Sequence, residues 1–253
     1  MLRIMLKKMQ VYMRIAVLSD IHGNLDAFRE VLQDLDRFRV DQVICLGDMV
    51  GYGPEPEEII RLIQERAIPC VMGNHEMALV KPQLQEWFNP QARESIQKTQ
   101  TLLSAETLLF IRGLPTSRII ERFRFVHGCP PNSPFIYLYQ LSESRLMEIF
   151  RKSAERIIFV GHTHNLKLIS FDGHAIVQKP LRHGIIPLSA QNSYIVNTGS
   201  VGQPRDGNNT AKYVIVDTLA YTLEVRFVPY DIAAVYQKIM DAGLPKSHAE
   251  RLW

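Results

Sequence analysis

The 253-residue sequence predicts a layered α/β domain, two stacked sheets flanked by helices. Three observations carry this. Five short apolar runs read as core strands, and each ends with a glycine directly beside a side chain able to hold a metal. Segments with apolar residues at helical spacing separate the first three runs, which is the alternation of an α/β fold. Past residue 165 the pattern turns antiparallel, with short strands joined by tight turns.

Taken in order, Ile15–Ser19 is the first strand, followed by Asp20, His22 and Gly23. Asn24 is an N-cap, and Leu25, Phe28, Leu32 and Leu35 set an amphipathic helix over 24–37. Residues 41–46 form the next strand, and Gly47-Asp48 closes it. A helix over 54–66 presents Ile59, Ile60 and Ile63 inward, and the strand 68–72 runs into Gly73-Asn74-His75-Glu76. Residues 82–113 read as two or three helices joined near 101–105, a small lobe whose core includes Trp87 and Phe88. The strand 123–126 leads to His127-Gly128, a proline-stiffened loop spans 129–140, and a helix spans 141–152. The strand 157–160 leads to Gly161-His162-Thr163-His164. Residues 166–171 and 174–178 form a hairpin about Asp172-Gly173, and strands follow at 194–197, 213–216 and 222–228. A terminal helix covers 230–240, with a short one after Pro245.

The strand ends supply the chemistry. Asp, Asn and His make a mixed oxygen and nitrogen donor set, suited to Mn, Fe, Zn or Co. Asp20 and His22 alternate along extended backbone, as do His162 and His164, so each pair can face one side. Asp20, His22, Asp48, Asn74, His75, His127, His162 and His164 are too many donors for one ion. They fit two divalent ions sharing a carboxylate, about 3.5–4 Å apart. Any one of these short motifs alone reads as a turn; five at five strand ends read as a site. His174 and His183 lie outside the motifs and read as surface residues.

These blocks, in this order from residue 14 to 164, resemble the calcineurin-like metallophosphoesterase family. The run Asn197-Thr198-Gly199-Ser200-Val201-Gly202-Gln203-Pro204-Arg205 resembles that family's prokaryotic predicted phosphodiesterase branch. The resemblance implies a four-layer αββα sandwich of two mixed sheets with a small helical insertion, in one domain over 13–253. It implies that Asp20, His22 and His164 hold one metal, that Asn74, His127 and His162 hold the other, and that Asp48 bridges them. His75 then stands beside the metals as the catalytic histidine. The implied reaction is hydrolysis of a small organic phosphate, a phosphodiester or nucleotide, by a metal-bound hydroxide. Two alternatives are a hydrolase of dinucleoside polyphosphates such as diadenosine tetraphosphate, and a non-catalytic scaffold; the filled ligand positions and His75 speak against the scaffold. One departure matters. The protein phosphatase branch carries Gly-Asp-x-x-Asp-Arg-Gly where this chain reads Gly47-Asp48-Met49-Val50-Gly51-Tyr52-Gly53, so a phosphoprotein substrate is not expected. Arg205 or Asp206 is expected to replace in part the missing arginine or acid. Arg205 and Tyr137 are the expected substrate contacts. Phe135, Tyr137 and Tyr139 either cover the metals and stack on a base or aryl leaving group, or plug into the lobe.

Composition excludes other classes. Hydrophobic residues make up 46% and charged residues 22%, as in an ordinary water-soluble domain. A net charge of +3 gives no strong nucleic-acid signal and no membrane signal, and no apolar run is long enough to span a bilayer. Three cysteines build no disulfide framework and fit a cytoplasmic protein. Cys45 and Cys70 read as core, and Cys129 as core or site lining. Residues 1–12 are basic and Met-rich, lack a signal-peptide core, and read as a flexible arm.

Overall fold

A computed structural model describes residues 12–253, so the expected arm over 1–12 lies, except for Tyr12, outside the described residues. The chain opens with β1 (Arg14–Leu18), α1 (Leu25–Asp36), β2 (Gln42–Cys45) and α2 (Pro56–Glu65). The lobe follows as α3 (Asn74–Val80), a 3-10 turn (Pro82–Trp87), α4 (Pro90–Thr101) and α5 (Ala105–Arg112). Then come β3 (Ser117–Ile120), β4 (Phe123–Val126), α6 (Glu143–Lys152), β5 (Ile157–Val160), β6 (Leu166–Phe171), β7 (Ile176–Pro180), β8 (Gly184–Pro187) and β9 (Ser193–Thr198). The chain closes with β10 (Ala211–Asp217), β11 (Thr222–Val228), α7 (Ile232–Asp241) and α8 (Lys246–Glu250).

Two mixed sheets result, in strand orders β2-β1-β10-β11-β8 and β3-β4-β5-β9-β6-β7. The period of two in each strand decides the layering. Ile15 and Val17 point into the core between the sheets, with Phe125, Ile157, Phe159, Val196 and Val214. Ala16 and Leu18 point the other way, onto Phe28, Val31, Ile59 and Ile63 of α1 and α2. On the second sheet Val126, Ile158 and Val160 face outward onto Leu146, Ile149 and Phe150 of α6. The order is therefore helices, sheet, sheet, helix, the four-layer αββα sandwich expected. In the central layer Phe125 and Phe159 stack with centroids 5.3 Å apart and rings 8° from parallel. Emptying either position removes a large buried ring at a cost of about 3–5 kcal/mol.

The register places the site. β1 and β2 are parallel with Leu18 beside Cys45, so both chains leave the sheet at one level and deliver Asp20 and Asp48 to one edge. In the other sheet β4 and β5 are parallel, as are β5 and β9, and they deliver His127 and His162 to the facing edge. Asn24 caps α1 as expected, its side chain accepting from the Ala27 N–H at 3.0 Å.

Four expectations need correction. Residues 68–72 are not a strand but a single parallel bridge between Cys45 and Cys70. Pro69 has no N–H to give a ladder, and its carbonyl alone accepts from Cys45 at 3.0 Å before the chain turns into α3. The hairpin's second strand begins at Ile176, because Asp172 accepts the N–H groups of His174 and Ala175 and so extends the turn. The edge strands β3 and β8 were not anticipated. Trp87 is not lobe core: it is 71% exposed, while Phe88 beside it is half-buried. All three cysteines are free and buried; Cys129 packs in the cluster under α6, where burial raises its thiol pKa. Among the described residues no helix is long and apolar enough to cross a membrane.

Candidate metal centre

Asp20, His22, Asp48, His162 and His164 all have positive φ, from 50° to 66°. This left-handed backbone costs about 1–3 kcal/mol at each such residue and clusters at functional sites. The expected extended alternation of Asp20 with His22 and of His162 with His164 is therefore not what brings these pairs together: the left-handed residues turn the chain back over the strand end at once. A hydrogen-bond web holds the strain. The Asp20 N–H donates to Gly47 O at 3.0 Å and the His22 N–H to Asp48 O at 2.9 Å. The Asp20 carbonyl accepts from Gly202 N at 2.9 Å and Ser200 Oγ at 2.8 Å, and Asp20 Oδ2 accepts from His162 N at 3.0 Å.

Each of four buried imidazoles has one ring nitrogen opposite a backbone carbonyl. His22 Nδ1 faces Val50 O at 3.1 Å, His127 Nδ1 faces Leu46 O at 3.0 Å, and His164 Nδ1 faces Gln203 O at 2.6 Å. His162 is turned the other way, with Nε2 3.1 Å from Phe135 O. A carbonyl only accepts, so each of these nitrogens carries a proton, and in the neutral ring the other nitrogen is a lone pair. Those lone pairs converge. His22 Nε2 and His164 Nε2 are 3.1 Å apart, and His127 Nε2 lies 3.2 Å from His162 Nδ1 and 3.1 Å from Asn74 Oδ1. Asp48 Oδ2 is 3.1 Å from His127 Nε2 and 3.7 Å from His22 Nε2, so it reaches both groups. Asp20 Oδ1 is buried with no hydrogen-bond donor among the described residues and sits 3.2 Å from His164 Nε2. Acceptors packed against acceptors repel unless cations lie among them, and three overlapping groups are close enough to hold an ion: Asp20–His22–His164, Asp48–His127–His162 and, between them, His22–Asp48–His75. The donor chemistry fits two divalent ions.

The charges say the same. Burial opposes ionisation of Asp20 and Asp48, yet the surrounding imidazoles hold both carboxyls well below their usual range. Burial also opposes charge on His127, but Asp48 and Asp20 outweigh it and bring its imidazole up to about 9. Burial carries His22 well below the usual value and His162 down to about 3, so both are neutral lone-pair donors at neutral pH.

His75 differs. Its Nδ1 is buried without a partner among the described residues, against Gly51, where any Cβ would collide with the ring. Its Nε2 lies 4.0 Å from Asp48 Oδ2, and burial lowers its pKa to about 4. No carbonyl fixes its proton on the far nitrogen, so nothing turns a lone pair inward as in the four ligand-like histidines. The ring is wedged edge-on between Tyr52 and Phe88, with centroids 4.6 and 5.1 Å away.

Three residues the sequence reading missed hold this arrangement. The buried carboxylate of Glu76 accepts four backbone N–H groups, from Asp48, Met49, Val50 and Gly73, at 2.8–3.2 Å. It thereby ties the Asp48 turn to the first turn of α3; its place three residues after Gly73 was the available signal. Tyr52, itself at φ 63°, lies 4.4 Å from the His22 ring and 4.6 Å from the ring of the buried His248 in α8. Gln203 supplies the carbonyl that orients His164 and accepts from Arg205 Nη2 at 2.7 Å.

Of the expected substrate contacts, Arg205 stands at the site, its guanidinium 5.9 Å from the Tyr52 ring centre. Asp206 instead forms a 2.8 Å ion pair with the buried Lys212. Tyr137 lies face-on to His162, centroids 3.7 Å apart and 14° from parallel, while Phe135 meets Trp87 edge-on at 5.2 Å. The proline-rich loop thus covers the site and touches the lobe at once. His174 and His183 are exposed, as expected.

A fold of two mixed sheets with paired Asp, Asn and His donors at their facing edges defines a metallophosphoesterase. Residues 13–220 match the family model described as the calcineurin-like phosphoesterase superfamily domain, and the chain belongs to that family. It is 37% identical over 245 residues to an uncharacterized protein of Methanocaldococcus jannaschii, covering 94% of this chain and 97% of that one. Its structure is similar to that of a metallophosphoesterase from Sphaerobacter thermophilus, with a TM-score of 0.81 and 34% identity over 96% of this chain and 98% of that one. Partial matches include two kinds of phosphatase. Serine/threonine-protein phosphatase 2 of Escherichia coli is 27% identical over 54% of this chain and 67% of its own length. A symmetrical bis(5'-nucleosyl)-tetraphosphatase of Psychromonas ingrahamii is 30% identical over 44% of this chain and 41% of its own length. The chain is a hydrolase acting on phosphate ester bonds.

Proposed function

We propose that the protein is a dinuclear-metal phosphoesterase of small organic phosphates, a phosphodiester or nucleotide. The observation that carries this is the convergence of four imidazole lone pairs on Asp48 and Asp20, with each histidine's proton committed elsewhere to a backbone carbonyl. Asp20, His22 and His164 hold one ion, Asn74, His127 and His162 the other, and Asp48 is shared. When bound, two such ions neutralise phosphate charge and acidify water to a nucleophile near neutral pH.

The remaining work falls to side chains. Neutral His75 carries its single proton on Nε2, because Nδ1 has no acceptor among the described residues, and offers that N–H as a hydrogen bond to the oxygen on which charge develops. Arg205 offers a guanidinium to phosphate oxygens. Tyr137 covers His162 and keeps bulk water from that side of the centre. The departure at Gly51-Tyr52 disfavours a phosphoprotein substrate: Tyr52 packs onto three histidines, His22, His75 and His248, and supplies no cation. The partial match to a tetraphosphatase supports a dinucleoside polyphosphate as the second reading.

The test is hydrolysis of bis(p-nitrophenyl) phosphate and p-nitrophenyl phosphate with Mn added and with chelator. Asp48→Asn removes the shared carboxylate and is expected to lower turnover about 10³-fold, the loss of several kcal/mol of transition-state stabilisation. Metal content by mass spectrometry is expected to fall from two ions per chain. Two ions retained with full turnover in Asp48→Asn would refute the bridging assignment.

A further inference from the structure

Beside the metal centre lies a cavity of about 350 Å³, at the lower end of the range for small-molecule sites. Thr163, the residue between His162 and His164, lines it. So does Tyr139, which continues a column of rings outward from the centre. Tyr137 lies on His162, and Tyr139 follows Tyr137 at 5.0 Å and 23° from parallel. Tyr139 ends the column, is 68% exposed and lines the cavity. Leu138 and Ile169 give the cavity apolar walls. Asn165 and Asp206 line it too, and each keeps one oxygen without a donor among the described residues: Asn165 uses its amide N–H on Thr163 O at 2.8 Å, and Asp206 gives one oxygen to Lys212.

An aromatic face, apolar walls and spare acceptors match a particular ligand chemistry. A nucleobase needs a stacking surface and acceptors for its exocyclic amine, and a ribose needs acceptors for its hydroxyls. The cavity adjoins the centre, since Thr163 between His162 and His164 lines it together with Tyr139, the ring two steps out from His162.

We propose that this cavity receives the nucleoside part of the substrate, with the base stacked on Tyr139 and the ribose or exocyclic amine on Asn165 and Asp206. The inference rests on the phosphoesterase reading and narrows it to nucleotide esters. Tyr139 is then the specificity-determining residue.

The probe is adenosine, which has no phosphate and so reports the cavity apart from any turnover. Saturation-transfer NMR and calorimetry on the Mn-loaded protein are expected to show adenosine binding. Tyr139→Ala is expected to weaken it about tenfold, the usual loss of one base stack. Tyr139→Phe keeps the ring and is expected to restore it. In turnover, Tyr139→Ala is expected to lower kcat/KM for a nucleotide diester relative to glycerol 2-phosphate about tenfold, with the loss in KM. Trp87→Ala removes the other exposed ring near the site and is expected to leave adenosine binding unchanged. Loss of binding in Trp87→Ala but not in Tyr139→Ala would move the base to the lobe side and overturn the proposal. Ester hydrolysis without any adenosine binding would overturn it while leaving the phosphoesterase reading intact. Adenosine binding that depends on Tyr139, with no ester hydrolysed, would uphold the cavity and defeat the phosphoesterase reading.

Discussion

At His127 a proton and a metal ion compete for one lone pair. Nδ1 is committed to Leu46 O, and Nε2 faces Asp48 at 3.1 Å and Asp20 at 3.9 Å. Without a metal, a proton is the smallest cation able to separate these acceptors, and the two carboxylates hold it there up to a pH of about 9 against the cost of burial. His22 and His162 are shifted the other way and hold no such proton at neutral pH. Metal uptake at pH 7 is therefore expected to release about one imidazole proton, from His127. Below pH 9 each unit of acidification is expected to weaken binding at that ion about tenfold, and above pH 9 this dependence vanishes. Calorimetry of Mn binding in buffers of different ionisation enthalpy measures the proton count. Zero protons released at pH 7 would mean that His127 is already neutral. The same shift orders the stability of the chelated protein. A histidine whose pKa is raised on folding stabilises fully below its unfolded value of 6.5, and that contribution is lost as pH rises through 9.

At the scale of the element, the turn that presents Asp48 is held by α3. Glu76 collects four N–H groups that have no other acceptor, so Glu76→Ala leaves a cluster of buried donors unpaired. The expected cost is about 3–4 kcal/mol, and Glu76→Gln, which keeps one carbonyl oxygen, is expected to lose about half of that. Chemical denaturation of the chelated protein measures both; equal stability of all three would mean that water replaces the carboxylate. This element also marks where sequence reading stops. The ligands were legible because each follows a short apolar run, four of the five runs being strands, and such runs are visible in the sequence. Glu76 stood in a quoted motif, but its role depends on a backbone turn 27 residues away. β3 and β8 are four residues each, half exposed, and one is bounded by Gly184 and Pro187, so neither shows the alternation of a buried strand. The carbonyls of Leu46, Val50, Phe135 and Gln203, which set the histidine tautomers, carry no sequence signal, since every residue has one.

At the scale of the molecule, the two sheets meet over an apolar core but oppose each other at the site edge. Aromatic and aliphatic side chains draw them together along the strands, while at the edge Asp20, Asp48 and four imidazoles bring acceptors face to face. Five of those residues also carry left-handed backbone strain. The metals therefore act on the fold as well as on the substrate: they relieve the repulsion that the core alone must overcome. Each ion at a hundredfold excess over its Kd contributes about 2.7 kcal/mol, provided it binds only the folded chain. In a chain of this size 1 kcal/mol moves the melting temperature by about 2–4 °C. Two ions are thus expected to raise it by about 10–20 °C over the chelated protein, as read by thermal shift with and without Mn. Asp48→Asn separates this effect from ordinary damage. It removes a carboxylate that the surrounding imidazoles stabilise, so its chelated form is expected to melt below chelated wild type, and the diagnostic quantity is its response to Mn, which shrinks by half or more. A variant that melts far lower in chelator yet keeps the full Mn response would show that Asp48 serves the fold and not the ions.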